Sequence, residues 1–232
     1  SAILPLLAGI PHRVGFATDG RAWLLQRSTP YADKHEVECF LDILRADGIP
    51  VTDTHNENWT DPATDRRVAS ALAPGRRPRV FICAKSVAPA KDWTPDHFAR
   101  LIAWLVNERG CEIHVCDSPG LAAYYGQIRA ALPAPLARDW TDWSQQLSIK
   151  EVGSLFRRMD LAVGIDTGLL HIAASFHVPV IALFGPLEPW RWHPWDTRHT
   201  ILRPADLTGP CPLARLSVPE VQAAVEPYLA TI

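Results

Sequence analysis

The chain alternates between short apolar runs and longer segments in which apolar residues recur at helical spacing. From residue 79 onward the apolar runs predict buried strands over 80–83, 113–116, 161–165 and 178–184. The segments with helical spacing predict helices over 94–107, 119–132, 149–159, 168–176 and 218–229. This alternation predicts an α/β fold, in which helices cover both faces of a parallel sheet and the crossovers are right-handed.

The pattern before residue 79 is less regular. It predicts a short helix over 2–7, a strand over 13–16 and a helix over 31–46, whereas 52–65 is polar and predicts no regular element. Residues 73–78 are rich in proline, glycine and arginine, as linkers often are. We therefore divide the chain into residues 1–77 and residues 78–232.

Composition narrows the class of protein. The 232 residues are 47% hydrophobic, which is enough for a sizeable core, and the formal net charge is -2. Balanced charge without a basic stripe argues against a nucleic-acid partner. No apolar stretch is long enough to span a membrane. Five cysteines without a CxxC pair favour buried free thiols in a reducing compartment, with a disulfide or zinc site as the lesser alternative.

The strongest candidate for chemistry follows the predicted strand 161–165. In parallel α/β sheets ligands bind outside the carboxyl ends of the strands. Here Asp166, Thr167 and Gly168 join the strand to a helix, whose free N–H groups and dipole form an anion site. Gly168 allows a phosphate to approach the backbone, and His171 lies on the same helix face as Thr167. The alternative is an ordinary cap and turn beside a structural histidine.

Two other loops follow strands. The loop after 80–83 carries Lys85, Ser86 and Lys91, whose charges suit a pyrophosphate but are also typical of a solvated loop. The loop 185–195 carries Glu188 and three tryptophans, which suit a sugar ring or a nucleobase but equally cover a core or meet a partner domain. No GxGxxG motif follows a strand, so we expect no dinucleotide cofactor.

Three blocks in this order resemble a known family. They are Pro89-Ala90-Lys91-Asp92-Trp93, then Asp166-Thr167-Gly168-Leu169-Leu170-His171-Ile172-Ala173-Ala174, and then the run 179–186 that ends in Gly185-Pro186. The set resembles the heptosyltransferases of glycosyltransferase family nine, particularly their heptosyltransferase II branch, in which the second block typically reads D-[ST]-G-x-x-H-x-A-A. Segments 8–15 and 211–221 extend the resemblance over nearly the whole chain.

The resemblance implies a fold and a reaction. The fold is of the GT-B type, with two Rossmann-like domains facing across a cleft, so 1–77 is part of the acceptor-side domain and 78–232 is the nucleotide-sugar-binding domain. The reaction is inverting transfer of heptose from ADP-heptose to a lipopolysaccharide inner-core acceptor, with no cofactor and no obligatory metal. The resemblance also implies a cytoplasmic protein, peripheral at the inner face of the bacterial inner membrane.

The resemblance also implies roles for residues. Lys91 neutralises the donor pyrophosphate, and His171 supports a phosphate pocket at the helix start. The donor-binding residues that it implies are Lys91, Asp166, Thr167, Gly168, His171 and Ser86. Asp117, expected near the ribose, and Glu188 are weaker candidates.

The chain also departs from the family pattern. The family's catalytic base lies in a loop about a hundred residues before the segment 8–15, so no residue here matches it and we expect the first part of the N-terminal domain to be missing. Cys83-Ala84-Lys85 stands where the family usually has Pro-Gly-Ala, which removes a glycine and adds a charge. Two alternatives therefore stay open: a non-catalytic module that binds ADP or an ADP-sugar, and another GT-B enzyme such as a nucleotide-sugar epimerase.

Overall fold

A computed structural model describes residues 2–72, 74, 77–116, 119–134, 136 and 140–231. The chain divides into two compact units, of which the first comprises residues 1–55 with 190–193 and the second comprises 56–189 with 194–232. The division at residue 77 that the sequence suggests remains a prediction about domains.

The first unit contains a helix, a two-stranded parallel sheet and a longer helix. These are α1 (Ile3–Leu7), β1 (Val14–Phe16), β2 (Arg27–Thr29) and α2 (Glu36–Ala46). The predicted start of α2 at residue 31 was wrong, because the helix begins after His35, whose ring nitrogen accepts a hydrogen bond from the N–H of Val37. The carbonyl of Ala32 instead accepts from Arg191, at 2.8 Å.

The second unit is built on a six-stranded parallel sheet. Its strands are β3 (Arg79–Cys83), β4 (Glu112–Val115), β5 (Trp140–Asp142), β6 (Leu161–Ile165), β7 (Val180–Leu183) and β8 (His199–Leu202), in the order β5-β4-β3-β6-β7-β8. The predicted α/β fold with a parallel sheet is confirmed. The short strands β2, β5 and β8 were missed by the sequence pattern.

Helices cover both faces of this sheet. They are α3 (Pro62–Ala71), α4 (Pro95–Asn107), α5 (Ala122–Ala131), α6 (Val152–Phe156), α7 (Gly168–Ser175) and α9 (Val218–Leu229). The short helix α8 (Pro189–Trp192) lies almost entirely in the first unit. Val80 and Ile82 join the core formed with α4, α5 and α9. Phe81, between them, points to the opposite face and its ring lies 4.6 Å from that of Phe156 in α6.

Local capping explains where several helices begin. Thr94 Oγ1 accepts from the N–H of His97 at the start of α4, and Ser217 with Glu220 forms a capping box at the start of α9. The segment 52–65 was predicted to form no regular element. This prediction was wrong for its last residues, because α3 begins at Pro62. The carboxylate of Asp61 accepts from the N–H groups of Ala63 and Thr64 there.

The centre of the sheet requires a residue without a side chain. A Cβ added to Gly164 in β6 would lie 2.6 Å from the Cβ of Cys83 in β3 and closer still to its carbonyl oxygen. Both Cys83 atoms are held in place, because Cys83 belongs to β3, which is paired with β6. Gly164 therefore allows β6 to lie beside β3, and the residues that follow the two strands come together at one edge.

Cys39, Cys83, Cys111 and Cys116 carry buried thiols, whereas Cys211 is exposed. The expectation of buried thiols therefore holds for four of the five cysteines. Within the described residues, every helix is too short or too polar to reach across a lipid bilayer.

Candidate functional site

A cavity of about 710 Å³ opens in the second unit at the carboxyl ends of β3 and β6. Its polar wall contains Lys85, Ser86, Lys91, Asp166, Thr167 and Gly168. Its apolar wall contains Leu121, Leu147, Ile149 and Val152. The volume lies within the range of sites that hold small organic ligands.

The junction between β6 and α7 forms the floor of the polar wall. Thr167 is the N-cap residue in extended conformation, with φ -144° and ψ 164°, and its carbonyl accepts from the N–H of Leu170 at 3.1 Å. Its side chain makes no capping bond, and Oγ1 is buried without a hydrogen-bond partner in the described part of the chain. Neither Asp166 nor Thr167 caps α7 with its side chain, so the first N–H groups of the helix have no side-chain cap where Thr167, Gly168 and Leu169 line the cavity.

Asp166 lies at the centre of a charged cluster. Its Oδ2 is 2.7 Å from Lys91 Nζ, and its Oδ1 is 3.5 Å from His171 Nε2. Burial tends to raise the pKa of the Asp166 carboxyl, but the hydrogen bonds from His171 and Lys91 outweigh it and hold the pKa below its ordinary value. The carboxylate therefore stays ionised and fixes the ammonium group of Lys91 beside the start of α7.

The loop after β3 places Lys91 in a short 3-10 turn over Pro89–Lys91. Ser86 shapes the loop, because its Oγ donates to the carbonyl of Ala88 at 3.2 Å and accepts from the same residue's N–H at 3.1 Å. The structure thus brings together five of the six residues proposed for donor binding at the cavity wall. The sixth, His171, contacts the cluster through Asp166.

The weaker candidates do not join this cluster. Glu188 pairs with Arg203 at 3.1 Å and is not among the described residues that line the cavity. Asp117 lies outside the described residues. The tryptophans of the loop 185–195 also do not line the cavity in the part of the chain that the structure describes.

The apolar wall was missed by the sequence reasoning. Most of it comes from the segment 145–152, which follows β5, and Gln145 within that segment has a φ of +62°. Non-glycine residues in this conformation concentrate at functional sites. The strand Trp140-Thr141-Asp142 is the signal that could have revealed this wall. A loop that follows a strand of a parallel sheet is a candidate for ligand binding, and 145–152 is the loop after β5.

The two walls suit different parts of one ligand. A lysine, a helix start and an unpartnered hydroxyl suit an anionic group such as a phosphate. The apolar wall suits a flat, weakly polar group such as a nucleobase. Among the described residues, no group of three or more His, Cys, Asp or Glu side chains is arranged to hold a metal ion.

Known proteins share both the sequence and the fold. A model of glycosyltransferase family 9 (heptosyltransferase) matches residues 1–214. The lipooligosaccharide heptosyltransferase 2 of Haemophilus influenzae is 28% identical over 88% of this chain and 62% of its own length. The chain therefore spans less than two thirds of that relative.

Solved structures agree on the fold. The E. coli ADP-heptose LPS heptosyltransferase II has a TM-score of 0.83 at 22% identity, covering 99% of this chain and 73% of its own. The E. coli heptosyltransferase WaaC with ADP has a TM-score of 0.65 at 18% identity, covering 89% and 61% respectively. On the family match over 1–214, the chain belongs to glycosyltransferase family 9, the heptosyltransferase family.

Proposed function

We propose that this protein transfers heptose from ADP-heptose to a lipopolysaccharide inner-core acceptor, with inversion at the anomeric carbon. Family membership and the activity named for its relatives support the reaction class. The observation that carries the proposal is the pairing of Lys91 with Asp166 at the start of α7, in a cavity with an apolar wall.

The polar wall would bind the diphosphate of the donor. Lys91 supplies a positive charge, and the first N–H groups of α7 supply hydrogen-bond donors backed by the helix dipole. The buried hydroxyl of Thr167 has a donor hydrogen to offer a phosphate oxygen. A Cβ added to Gly168 would meet no atom within 4 Å, so this position leaves space for the ligand.

The apolar wall would receive the nucleobase. Leu121, Leu147, Ile149 and Val152 offer aliphatic surface to a planar ring. The solved heptosyltransferase WaaC with ADP supports adenine as the base to test first. Ser86 acts at the phosphates in this arrangement, while Asp117 and Glu188 are proposed only as minor contacts.

Glycosyl transfer builds negative charge on the departing diphosphate and positive charge on the anomeric carbon. Groups that are fixed before the reaction stabilise such charge most effectively, and Asp166 fixes Lys91 in this way. His171 positions the opposite carboxylate oxygen. A base must also accept the proton of the acceptor hydroxyl, and we assign no residue of this chain to that role.

We propose that residues 78–232 form the donor-binding domain and that residues 1–77 belong to the acceptor-side domain. In support, every described residue that lines the cavity lies within 78–232. A lipopolysaccharide precursor as acceptor would place the reaction at the cytoplasmic face of the inner membrane.

Calorimetry tests the donor site directly. The chain is titrated with ADP, GDP and UDP, together with the variants Lys91→Ala and Lys34→Ala. Lys34 also forms an ion pair, with Asp42, but in the first unit. We expect ADP to bind in preference to GDP and UDP, Lys91→Ala to weaken binding at least tenfold and Lys34→Ala to leave it unchanged. Equal ADP affinity in the wild type and in Lys91→Ala would refute the proposed site.

Product analysis then tests the reaction. Incubation with ADP-heptose and a heptose-deficient lipopolysaccharide acceptor is expected to join the sugar to the acceptor and release ADP. Release of an altered sugar without an acceptor product would indicate an epimerase. ADP binding without any turnover would indicate a module that binds the nucleotide only.

A further inference from the structure

A second lysine–carboxylate pair lies at the same cavity. Lys85 follows β3 after Ala84, and its Nζ donates a hydrogen bond to Oδ2 of Asp92. The side chains of Lys85 and Asp92 are only 15% and 14% exposed. Lys85 Nζ also lies 5.3 Å from the ring centroid of Tyr124 in α5. The ammonium group is therefore fixed at the cavity wall.

Lysine is rare in this chain compared with arginine, which makes two lysines at one cavity notable. The chain has four lysines against nineteen arginines, and two of the four, Lys85 and Lys91, are the cations among the described residues that line the cavity. Each has its own carboxylate, in Asp92 and Asp166. An ammonium group has three N–H donors on a flexible stem, so each lysine can contact its carboxylate and a ligand oxygen together.

The carboxylate of the Lys85–Asp92 pair uses only one of its two oxygens in hydrogen bonds to the described residues. Oδ1 of Asp92 is buried and accepts no hydrogen bond from any residue that the structure describes. Buried polar atoms are normally hydrogen-bonded, and a buried polar atom without a partner is one mark of a functional site. The carboxylate thus orients Lys85 with one oxygen only.

The neighbours of the two lysines distinguish their positions. Lys85 lies over Tyr124, close in the chain to Leu121, which is part of the apolar wall. Lys91 lies against Asp166 at the start of α7. Two ammonium groups, each held by a different carboxylate, therefore line one cavity.

We propose that Lys85 is a second phosphate-binding residue of this cavity, so that Lys85 and Lys91 share the charge of a diphosphate between them. This inference rests on the proposed function, because it requires a nucleoside diphosphate in the cavity. Asp92 orients Lys85 and competes with the ligand for its charge.

The test compares ADP, AMP and adenosine by calorimetry with competition, using the full chain. We expect Lys85→Met to weaken ADP and AMP about tenfold each, the usual loss for one charge-assisted hydrogen bond, while adenosine affinity is unchanged. Lys85→Arg retains the charge and most of the affinity. Asp92→Asn strengthens ADP and AMP severalfold because it removes the competing carboxylate, and the control Lys34→Met changes none of the three affinities.

The outcomes separate this proposal from the proposed function. Unchanged ADP and AMP affinities in Lys85→Met overturn the role of Lys85 while the donor site stands. Equal losses for adenosine and ADP also overturn it, because they indicate that Lys85 only maintains the loop. A wild-type chain that binds no ADP overturns the proposed function itself.

Discussion

Lys91 Nζ lies 2.7 Å from the carboxylate of Asp166 and 3.3 Å from its carbonyl oxygen, across a sequence separation of 75 residues. This pair joins the loop after β3 to the junction between β6 and α7. It therefore contributes to the fold and to the charge of the cavity at once, and the two contributions can be measured apart.

The stability contribution is tested with Asp166→Asn. We expect the free energy of unfolding at pH 7 to fall by about 2 kcal/mol, because Lys91 loses a charged, largely buried partner. Hydrogen bonds hold the pKa of Asp166 below its ordinary value of 3.8, so this contribution is present above that pH and is lost as the pH falls through the folded-state pKa. Urea denaturation at pH 7 and at pH 3 measures the loss of unfolding free energy in the variant and how that loss depends on pH. The control Asp96→Asn, whose side chain is 73% exposed, should change neither value; an equal loss in both variants would contradict the prediction.

The pH dependence of stability between pH 6.5 and 4 should come mainly from His114. Burial, with a smaller contribution from Arg79, lowers the pKa of this histidine from 6.5 to about 4, and its Nδ1 accepts from Trp143 Nε1 at 3.1 Å. The unfolded chain then binds the proton more tightly than the folded one. Stability should therefore fall by up to about 3 kcal/mol as the pH drops from 6.5 to 4.

Denaturation curves at intervals of half a pH unit measure this loss. His114→Asn keeps an acceptor for Trp143, has lower stability throughout and should lack most of the slope between pH 6.5 and 4. The exposed His177, replaced by Asn, should retain the wild-type slope. A slope that persists in His114→Asn would assign the effect to other groups.

Gly168 tests whether the start of α7 contacts the ligand. Its φ is not in the left-handed region, and the space around an added Cβ is open, so Gly168→Leu should fold with a melting temperature within a few degrees of the wild type. The new side chain would occupy the cavity. We expect ADP affinity to fall at least tenfold, as measured by calorimetry, and full affinity in this variant would remove the helix start from the site.

Gly164 tests the packing at the centre of the sheet. Gly164→Ala forces a methyl group against the backbone of Cys83, and we expect a loss of about 3 kcal/mol or more in unfolding free energy. Gly126→Ala in α5 is the matched control, since its added Cβ meets nothing within 4 Å. That variant should be more stable than the wild type by up to about 1 kcal/mol, because alanine has the higher helix propensity.

Features that depend on residues close together in the chain were predictable from the sequence, whereas features that depend on distant residues were not. The junction at Asp166 and Thr167 was predictable, because an apolar strand, a turn and a helix follow one another within a few residues. β5 was not, because Trp140 to Asp142 is short and half polar and becomes a strand only through its pairing with β4. The apolar wall that follows β5 was lost with it.

The position of Lys91 was predictable for a different reason. Loops after parallel strands meet at one edge of the sheet, so a lysine after β3 was expected near the end of β6. The ordinary alternative for this junction, a side-chain cap, does not form, because Asp166 contacts Lys91 and His171 and Thr167 makes no capping bond. Which of several local partners a polar side chain takes depends on residues distant in the chain.

The strand order has a consequence for how the protein is made. β3 pairs with β6 in the register of Val80 with Leu161, so the two partners leave the ribosome 81 residues apart. At about 5–20 residues per second, β3 waits roughly 4–16 s for its second neighbour. During that interval the unpaired N–H and C=O groups of one edge, and the apolar side chains of the strand, are open to other nascent chains. Chaperones that shield hydrophobic segments should therefore have their greatest effect on yield before residue 165 has been synthesised.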